Sequence, residues 1–228
     1  EDDLPTKHKK DWQPQSIPQS LKEAIEVFVL VRAMRLARGQ TDAHNSMLVN
    51  VSRFTAVQSR VRLLVDEYLR GVRQAVISYF RLDVSEALKN PTLVKLKDIY
   101  DREFASSAHS WNDIQPLLKD AVSPISVVEV NMSPSATPLD YSRQNYPNGR
   151  NVIAVGGMNL SRGLTLEGLT VSYFLRNSVM YDTLMQMGRW FGYRDGYADL
   201  CRIYMTSETA SWYGHISDAA DELREEFR

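Results

Sequence analysis

Short runs of β-branched and other apolar residues alternate with longer helix-like stretches, and this alternation constrains the fold more than any other feature. Runs of this composition are typical of strands in a buried sheet. We predict strands at 46–52, 126–132, 151–155, 169–175 and 200–205, and helices at 20–38, 53–80, 181–191 and 207–227. Strands that alternate with helices indicate a parallel sheet with helices packed on its faces. The sequence therefore predicts an α/β fold.

The chain divides into an arm and one domain. Residues 1–19 carry three prolines among polar residues, so we expect an irregular arm and not a packed element. Residues 20–228 are expected to form a single domain around the sheet. The helical stretch from about 70 to 122 is long for one crossover connection, since most connections are far shorter. We interpret it as a helical insertion and expect the helix before it to break near Gly71.

Several residues mark the expected helix ends. Ser20 and Glu23 match a capping box, in which each side chain bonds the backbone N–H of the other residue. Gly39 is expected to end the helix that they begin. Ser110 and Asp113 imitate the same capping box further along the chain.

Composition narrows the class of protein. The 228 residues carry 27 Lys and Arg against 28 Asp and Glu, so bulk charge does not favour nucleic-acid binding. Arginine accounts for 19 of those cations, and arginine makes fixed, forked contacts with phosphate and carboxylate. The single cysteine, Cys201, excludes an internal disulfide and is expected to be a core thiol. No run is long enough to span a membrane and the first residues are charged, so we expect a cytoplasmic protein.

Common catalytic motifs are absent from the sequence. It has no GxxxxGK[ST] phosphate loop, no (D/E)xK pair of the kind found in many nucleases, and no GxSxG turn. The four histidines form no HExxH, HxH or Cys/His cluster, so spacing predicts no metal site. We expect His44 to be a turn residue and the basic run at 7–10 to be solvated. As a self-contained hydrolase, the chain lacks the usual parts.

The segment from 152 to 205 holds the residues that point to a chemistry. Its first strand ends at Gly156-Gly157, where glycines allow close backbone approach at the carboxyl end of a strand. A predicted helix carries Gln186 and Arg189, and Arg194 follows it. Paired arginines stabilise charge on a transferring phosphoryl group, and a glutamine can orient the attacking water. The alternative is a surface arginine pair beside core aromatics; the agreement of two spaced motifs favours a functional role.

Three stretches resemble motifs IV, V and VI of the second RecA-like domain of superfamily-2 helicases and translocases. They are HNSMLVNVSRFTAVQSRV, NLSRGLTLEGL and QMGRWFGYR. From LPTKHKK onward, the chain is identified as a member of the Z-one (Z1) domain family on MLVNVSRF, LSRGLTLEGLTVSYFLR, MYDTLMQMGRWFGYR and LCRIYMT. That family carries an endonuclease label and is found with a superfamily-2 ATPase region. The resemblance implies a RecA-like lobe of the P-loop NTPase type.

The resemblance also implies roles for individual residues. In motif VI, Arg189 and Arg194 would act as arginine fingers on the γ-phosphate of ATP, with Gln186 as the motif glutamine. In motif V, the nucleotide contacts would be Arg162, Gly163 and Thr165, where Thr165 replaces the aspartate of the helicase pattern. The contacts to the nucleic-acid backbone would be Ser52, Arg53, Asn159 and Ser161. For Arg53, a solvated charge at a strand end is an equally supported interpretation.

Three functions follow as hypotheses. The first is the C-terminal lobe of an ATP-dependent helicase or translocase in DNA processing or defence, whose ATP and Mg²⁺ are held mainly by an upstream lobe of the same protein. On this hypothesis the isolated chain binds no cofactor and is inactive as an ATPase. The second is an endonuclease, as the family label suggests. The third is a non-catalytic module that binds nucleic acid or protein through the helical insertion.

Overall fold

The structure is a computed structural model that describes residues 4–5, 8–130, 139–157, 166–175 and 195–226. Its helices are α1 (Gln19–Ala37), α2 (Thr55–Tyr79), α3 (Val84–Ala87), α4 (Pro91–Glu103), α5 (Trp111–Ile114), α6 (Leu118–Val122) and α7 (Ser207–Glu226), with short 3-10 turns at Gln115–Leu117 and Ala198–Leu200. Its strands are β1 (Asn45–Asn50), β2 (Ser126–Val130), β3 (Asn151–Gly156), β4 (Leu169–Phe174) and β5 (Arg202–Met205). The predicted helix at 181–191 lies outside the described residues.

The five strands form one parallel sheet in the order β2-β3-β1-β4-β5. The central strand, β1, pairs in parallel with β3 on one side and β4 on the other. The outer strands β2 and β5 pair in parallel with β3 and β4. The predicted α/β fold with a parallel sheet is confirmed, and this arrangement is consistent with a RecA-like lobe.

Helix α1 is buried on all sides. Its residues from Val27 to Arg35 are all buried, because one side of the helix packs on β4 and the other on α4, α5 and α6. Gly39 ends it as predicted: with φ of 78° it donates its N–H to the carbonyl of Leu36. The predicted capping box at the other end is wrong, because the helix already begins at Gln19 and the Ser20 hydroxyl bonds the Tyr173 hydroxyl at 2.9 Å.

Helices α4 to α6 form a layer on α1 and α2 and share their core. Leu96 of α4 and Leu118 of α6 are fully buried in the same apolar cluster as Met47 and Val49 of β1. Helix α2 runs unbroken through Gly71 to Tyr79, so the expected break is wrong, and the extra helices lie between 84 and 122. The capping box of Ser110 and Asp113 is confirmed at the start of α5.

The opposite face of the sheet has its own apolar cluster. Leu48 of β1 and Ala154 of β3 are fully buried there, with Leu139 and Leu166 packed against the same cluster. Leu139 belongs to the connection from β2 to β3, and Leu166 to the connection from β3 to β4. The connection that carries α2 takes the chain from β1 to β2, toward one edge of the sheet. The connections from β2 to β3 and from β3 to β4 take it toward the other edge. Right-handed crossovers place such connections on the opposite face, which agrees with these contacts.

The N-terminal arm is irregular but packed. No helix or strand precedes α1 among its described residues, as expected, yet Leu4 and Ile17 are 2% and 3% exposed and belong to the main core. The expectation of an unpacked segment is therefore wrong. Proline and polar residues predict irregular backbone, but two isolated apolar side chains have no periodicity that would predict their burial. Among the described residues, no helix is long and apolar enough to cross a membrane.

Candidate functional site at the carboxyl edge of the sheet

The carboxyl ends of β3, β1 and β4 lie side by side, since these three strands are neighbours in the sheet. β1 leads directly into Ser52 and Arg53. β3 leads through Gly157 into the segment that carries the motif V resemblance, and β4 leads through Leu175 toward the segment with the motif VI resemblance. All three motif-bearing segments are therefore joined to adjacent strands at one edge.

Most of the predicted site residues lie outside the described residues. These are Asn159, Ser161, Arg162, Gly163, Thr165, Gln186, Arg189 and Arg194. Their roles stay predictions. Ser52 and Arg53 are described, so the geometry of the site is built from them and from their neighbours.

Ser52 is buried and fully engaged. It is 1% exposed, and its hydroxyl oxygen accepts the N–H of Phe54 at 3.0 Å. The same hydroxyl lies 2.8 Å from Nε2 of His8, which comes from the N-terminal arm. In this arrangement the hydroxyl fixes the turn between β1 and α2 and has no free side toward solvent. The predicted contact between Ser52 and a nucleic-acid backbone has no support in this geometry.

Arg53 has the opposite environment. Its side chain is exposed, with the guanidinium carbon 4.7 Å from the centre of the Phe54 ring. It stands two residues before Thr55, the first residue of α2, a helix of 25 residues whose N-terminus has no side-chain cap. Uncapped N–H groups and the helix dipole favour an anion at such a helix end. A guanidinium beside it adds a forked donor that suits phosphate.

Gly157 packs tightly against the same turn. A Cβ atom on this residue would lie 2.5 Å from Nε2 of Gln58 and 2.8 Å from the carbonyl oxygen of Ser52. Gln58 itself donates to that carbonyl at 2.9 Å, which ties the first turn of α2 to the end of β1. The close approach predicted for the Gly156-Gly157 turn is therefore present, and the groups that approach are protein groups.

Asn50 is a further polar residue at this edge, and the sequence motifs did not predict it. It ends β1, where it aligns with Gly156 on one side and Phe174 on the other, and it is 4% exposed. Its Oδ1 has no hydrogen-bond partner within the described part of the chain. A buried carbonyl oxygen without a partner is costly, so this position favours a donor group. The signal in the sequence is a polar residue at the end of an apolar run, MLVNVS.

A second polar cluster lies at the amino edge of the sheet. Arg32 and Arg35, each 3% exposed, reach from α1 to the backbone between α1 and β1: Arg32 donates to the carbonyls of Gln40, Thr41 and Ala43, and Arg35 to that of His44. Burial, with Arg35 nearby, lowers the pKa of Arg32 to about 10, so it stays charged at neutral pH. These arginines hold the loop that precedes β1, a structural role that charge patterning did not predict.

His44 lies in the loop just before β1, where a turn residue was expected, and it belongs to this cluster. It is 9% exposed, and its Nδ1 accepts the N–H of Arg150 at 2.9 Å. Its Nε2 lies 3.6 Å from a carboxylate oxygen of Glu167. Burial lowers the pKa of His44, the Glu167 carboxylate opposes that shift, and Arg143 and Arg35 add to it.

The remaining candidates are a metal-binding cluster, Cys201 and the basic run at 7–10. Across the described ranges, no group of three or more His, Cys, Asp or Glu side chains could hold a metal ion. Cys201 is half-buried just before β5, with its sulfur 3.6 Å from the carbonyl of Tyr197. In the basic run at 7–10, Lys9 and Lys10 are exposed as expected, but His8 is half-buried against Ser52.

A family model described as the Z1 domain matches residues 20–228. No curated protein and no solved structure matches the chain.

Proposed function

Because the chain belongs to the Z1 domain family, we propose that it is the C-terminal lobe of an ATP-dependent nucleic-acid helicase or translocase. The observation that carries the proposal is the junction of three motif-bearing segments with adjacent strands β3, β1 and β4. In parallel α/β sheets, ligands bind outside the carboxyl ends of strands, so these segments are joined to the edge where a ligand is expected.

In this proposal, different segments of the chain contact the nucleic acid and ATP. Arg53 and the N-terminus of α2 meet the phosphates of the nucleic acid, since both present positive charge or N–H donors to solvent. Arg189 and Arg194 reach the γ-phosphate of ATP, and Gln186 orients the attacking water. Asn159 and Ser161 contribute further backbone contacts, and Arg162, Gly163 and Thr165 contact the nucleotide.

ATP and Mg²⁺ are held mainly by a partner lobe in this proposal. The sequence has no GxxxxGK[ST] loop, and a Cβ atom on Gly157 would lie 2.5 Å from Nε2 of Gln58, so protein groups occupy that side of the turn. This lobe then supplies charge stabilisation, the role of arginine fingers in phosphoryl transfer. A lobe of this type turns over no ATP by itself.

Binding of DNA to the isolated chain tests the nucleic-acid half of the proposal. We expect fluorescence anisotropy with labelled DNA to give an affinity that falls with salt, since phosphate contacts release counterions. Arg53→Ala is expected to weaken binding about three- to tenfold and to reduce the salt slope by about one unit. The matched control is Arg70→Ala, because Arg70 is exposed on the same helix but pairs with Asp66 at 3.3 Å.

Two outcomes would contradict this part of the proposal. If DNA does not bind, or if Arg53→Ala and Arg70→Ala weaken binding equally, the site at the start of α2 is wrong. Salt-dependent DNA binding without any effect of Arg189→Ala on ATP turnover by the natural protein would favour the non-catalytic module that only binds nucleic acid.

A further inference from the structure

The N-terminal arm reaches the turn that presents Arg53, and His8 makes the contact. Nε2 of His8 lies 2.8 Å from the Ser52 hydroxyl, although the two residues are 44 positions apart. The imidazole also packs against aromatic rings on both sides of this contact. Its centroid is 4.9 Å from that of Trp12 in the arm and 5.9 Å from that of Phe54 in the turn.

The directions of the hydrogen bonds follow from the chemistry of the partners. Nδ1 of His8 lies 2.8 Å from the carbonyl oxygen of Pro5, which can only accept, so Nδ1 carries the proton. In the neutral imidazole, Nε2 is then an acceptor and the Ser52 hydroxyl donates to it. Ser52 in turn accepts the N–H of Phe54. A continuous chain of hydrogen bonds therefore runs from the Pro5 carbonyl to the backbone of the turn.

This order of groups resembles an activated serine, in which a base accepts the hydroxyl proton and a third group orients the base. Because Ser52 is buried, we assign these groups a structural role. Ser52 is 1% exposed, and its oxygen already accepts one backbone N–H, so no substrate carbon can reach it. What the chain of hydrogen bonds does is fix the position of the turn.

A second tether holds the arm on α2. Nε of Arg60 donates to the carbonyl oxygen of Pro14 at 3.0 Å, and Pro14 itself is buried. The family match begins at residue 20, so His8, Trp12 and Pro14 all lie outside the matched residues. These contacts to the beginning of α2 therefore come from outside the matched residues.

We propose that His8 is a positioning residue and that the arm is a clamp on the turn at 51–54. The clamp holds the Ser52 hydroxyl and the Phe54 ring, and Arg53 lies between them with its guanidinium over that ring. Fixing the turn in this way orders Arg53 before nucleic acid arrives, which lowers the entropy cost of binding. The role assigned to Arg53 rests on the function proposed above.

Hydrogen exchange of the isolated chain tests the clamp without any ligand. His8→Ala is expected to speed exchange of the Phe54 amide about tenfold or more, because loss of the imidazole frees the Ser52 hydroxyl. His8→Gln is expected to restore slow exchange, since its amide can occupy the position of Nε2. The control Arg60→Ala removes the second tether and leaves the His8 contact in place. Unchanged exchange in His8→Ala, with a folded chain by circular dichroism, would overturn the clamp.

DNA affinity then tests what the clamp does. His8→Ala is expected to raise the Kd about threefold or more, and His8→Gln to recover most of the loss. The effect of His8→Ala should vanish in an Arg53→Ala background, because the clamp acts through Arg53. If wild type binds DNA and His8→Ala binds equally well, the positioning role is wrong. If wild type binds no DNA, the proposed function fails, and hydrogen exchange still decides whether the clamp exists.

Discussion

Gly168 shows how one residue without a side chain sets the geometry of the amino edge. Its φ is 65°, and a Cβ atom on it would lie 1.9 Å from the carbonyl oxygen of His44. Gly168→Ala is expected to destabilise the fold by more than about 1 kcal/mol, because both the left-handed backbone and the contact oppose a side chain. Denaturant unfolding measures the free energy of unfolding.

The control for this prediction is Gly71, which is exposed within α2 and has no atom within 4 Å of a built Cβ. Gly71→Ala is expected to stabilise the chain by about 0.5–1 kcal/mol, since alanine loses less backbone entropy in a helix. Equal effects of the two substitutions would contradict the assigned packing of Gly168.

His44 gives a prediction about pH. Its pKa is lowered from an ordinary value of 6.5, so the unfolded chain binds its proton more readily than the folded chain. The stability that this residue contributes is complete above pH 6.5 and falls as the pH drops below that value. We expect His44→Asn, which keeps an acceptor for the Arg150 N–H, to flatten this part of the stability curve. The same slope in both proteins between pH 7 and pH 5 would show that another group is responsible.

Local sequence patterns predicted the residues that act on near neighbours in the chain and missed the residues whose contacts are distant in sequence. The capping box of Ser110 and Asp113 and the stop at Gly39 depend on neighbours within a few positions, and both are found. His8 meets Ser52 across 44 positions, and Arg32 is held by carbonyls of a loop. Neither contact leaves a periodic signal in the sequence, so only the folded chain brings these residues to notice.

At the scale of elements, the helices between 84 and 122 are part of the main core. If this is right, a cavity in α4 must weaken the whole domain. Leu96→Ala is expected to cost about 2–5 kcal/mol, because Leu96 is fully buried. Val94→Ala on the same helix is the control, since Val94 is 36% exposed and is expected to change stability by less than about 0.5 kcal/mol.

The shape of the unfolding transition completes this prediction. A shared core requires a single cooperative transition that moves as a whole in Leu96→Ala, measured by both circular dichroism and tryptophan fluorescence. A separate, earlier transition confined to one probe would show that α4 to α6 unfold independently.

The strands and the three long helices of the described residues lie within a few positions of their predicted limits. Each of the five predicted strands matches an observed one to within a few residues, because each is a short run rich in apolar residues, even though the edge strands β2 and β5 are only partly buried. The expected break at Gly71 was wrong because one exposed glycine costs too little to interrupt a helix whose apolar stripe continues from Leu69 to Val76. Packing against β2, β3 and the outer helices decides the length of α2.

At the scale of the whole molecule, order along the chain differs from order in space. β1 comes first among the strands and lies at the centre, so the connections that follow β1, β3 and β4 start from neighbouring positions on one edge. The sequence predicted a parallel sheet, but strand order depends on which strands pair, and alternation of elements does not determine that. Because of this strand order, the strands that lead into the proposed nucleic-acid and nucleotide segments are neighbours.

The most direct measurement of the central claim is DNA-stimulated ATP hydrolysis by the natural protein that contains this chain. We expect Arg189→Ala and Arg194→Ala each to lower kcat by about a thousandfold, the effect of removing an arginine finger, with DNA binding retained. Arg70→Ala, which removes an exposed arginine of α2, should leave kcat unchanged. Unchanged ATP turnover in both motif VI variants, or no ATP hydrolysis by the natural protein, would contradict the claim that this chain is the C-terminal lobe of a translocase.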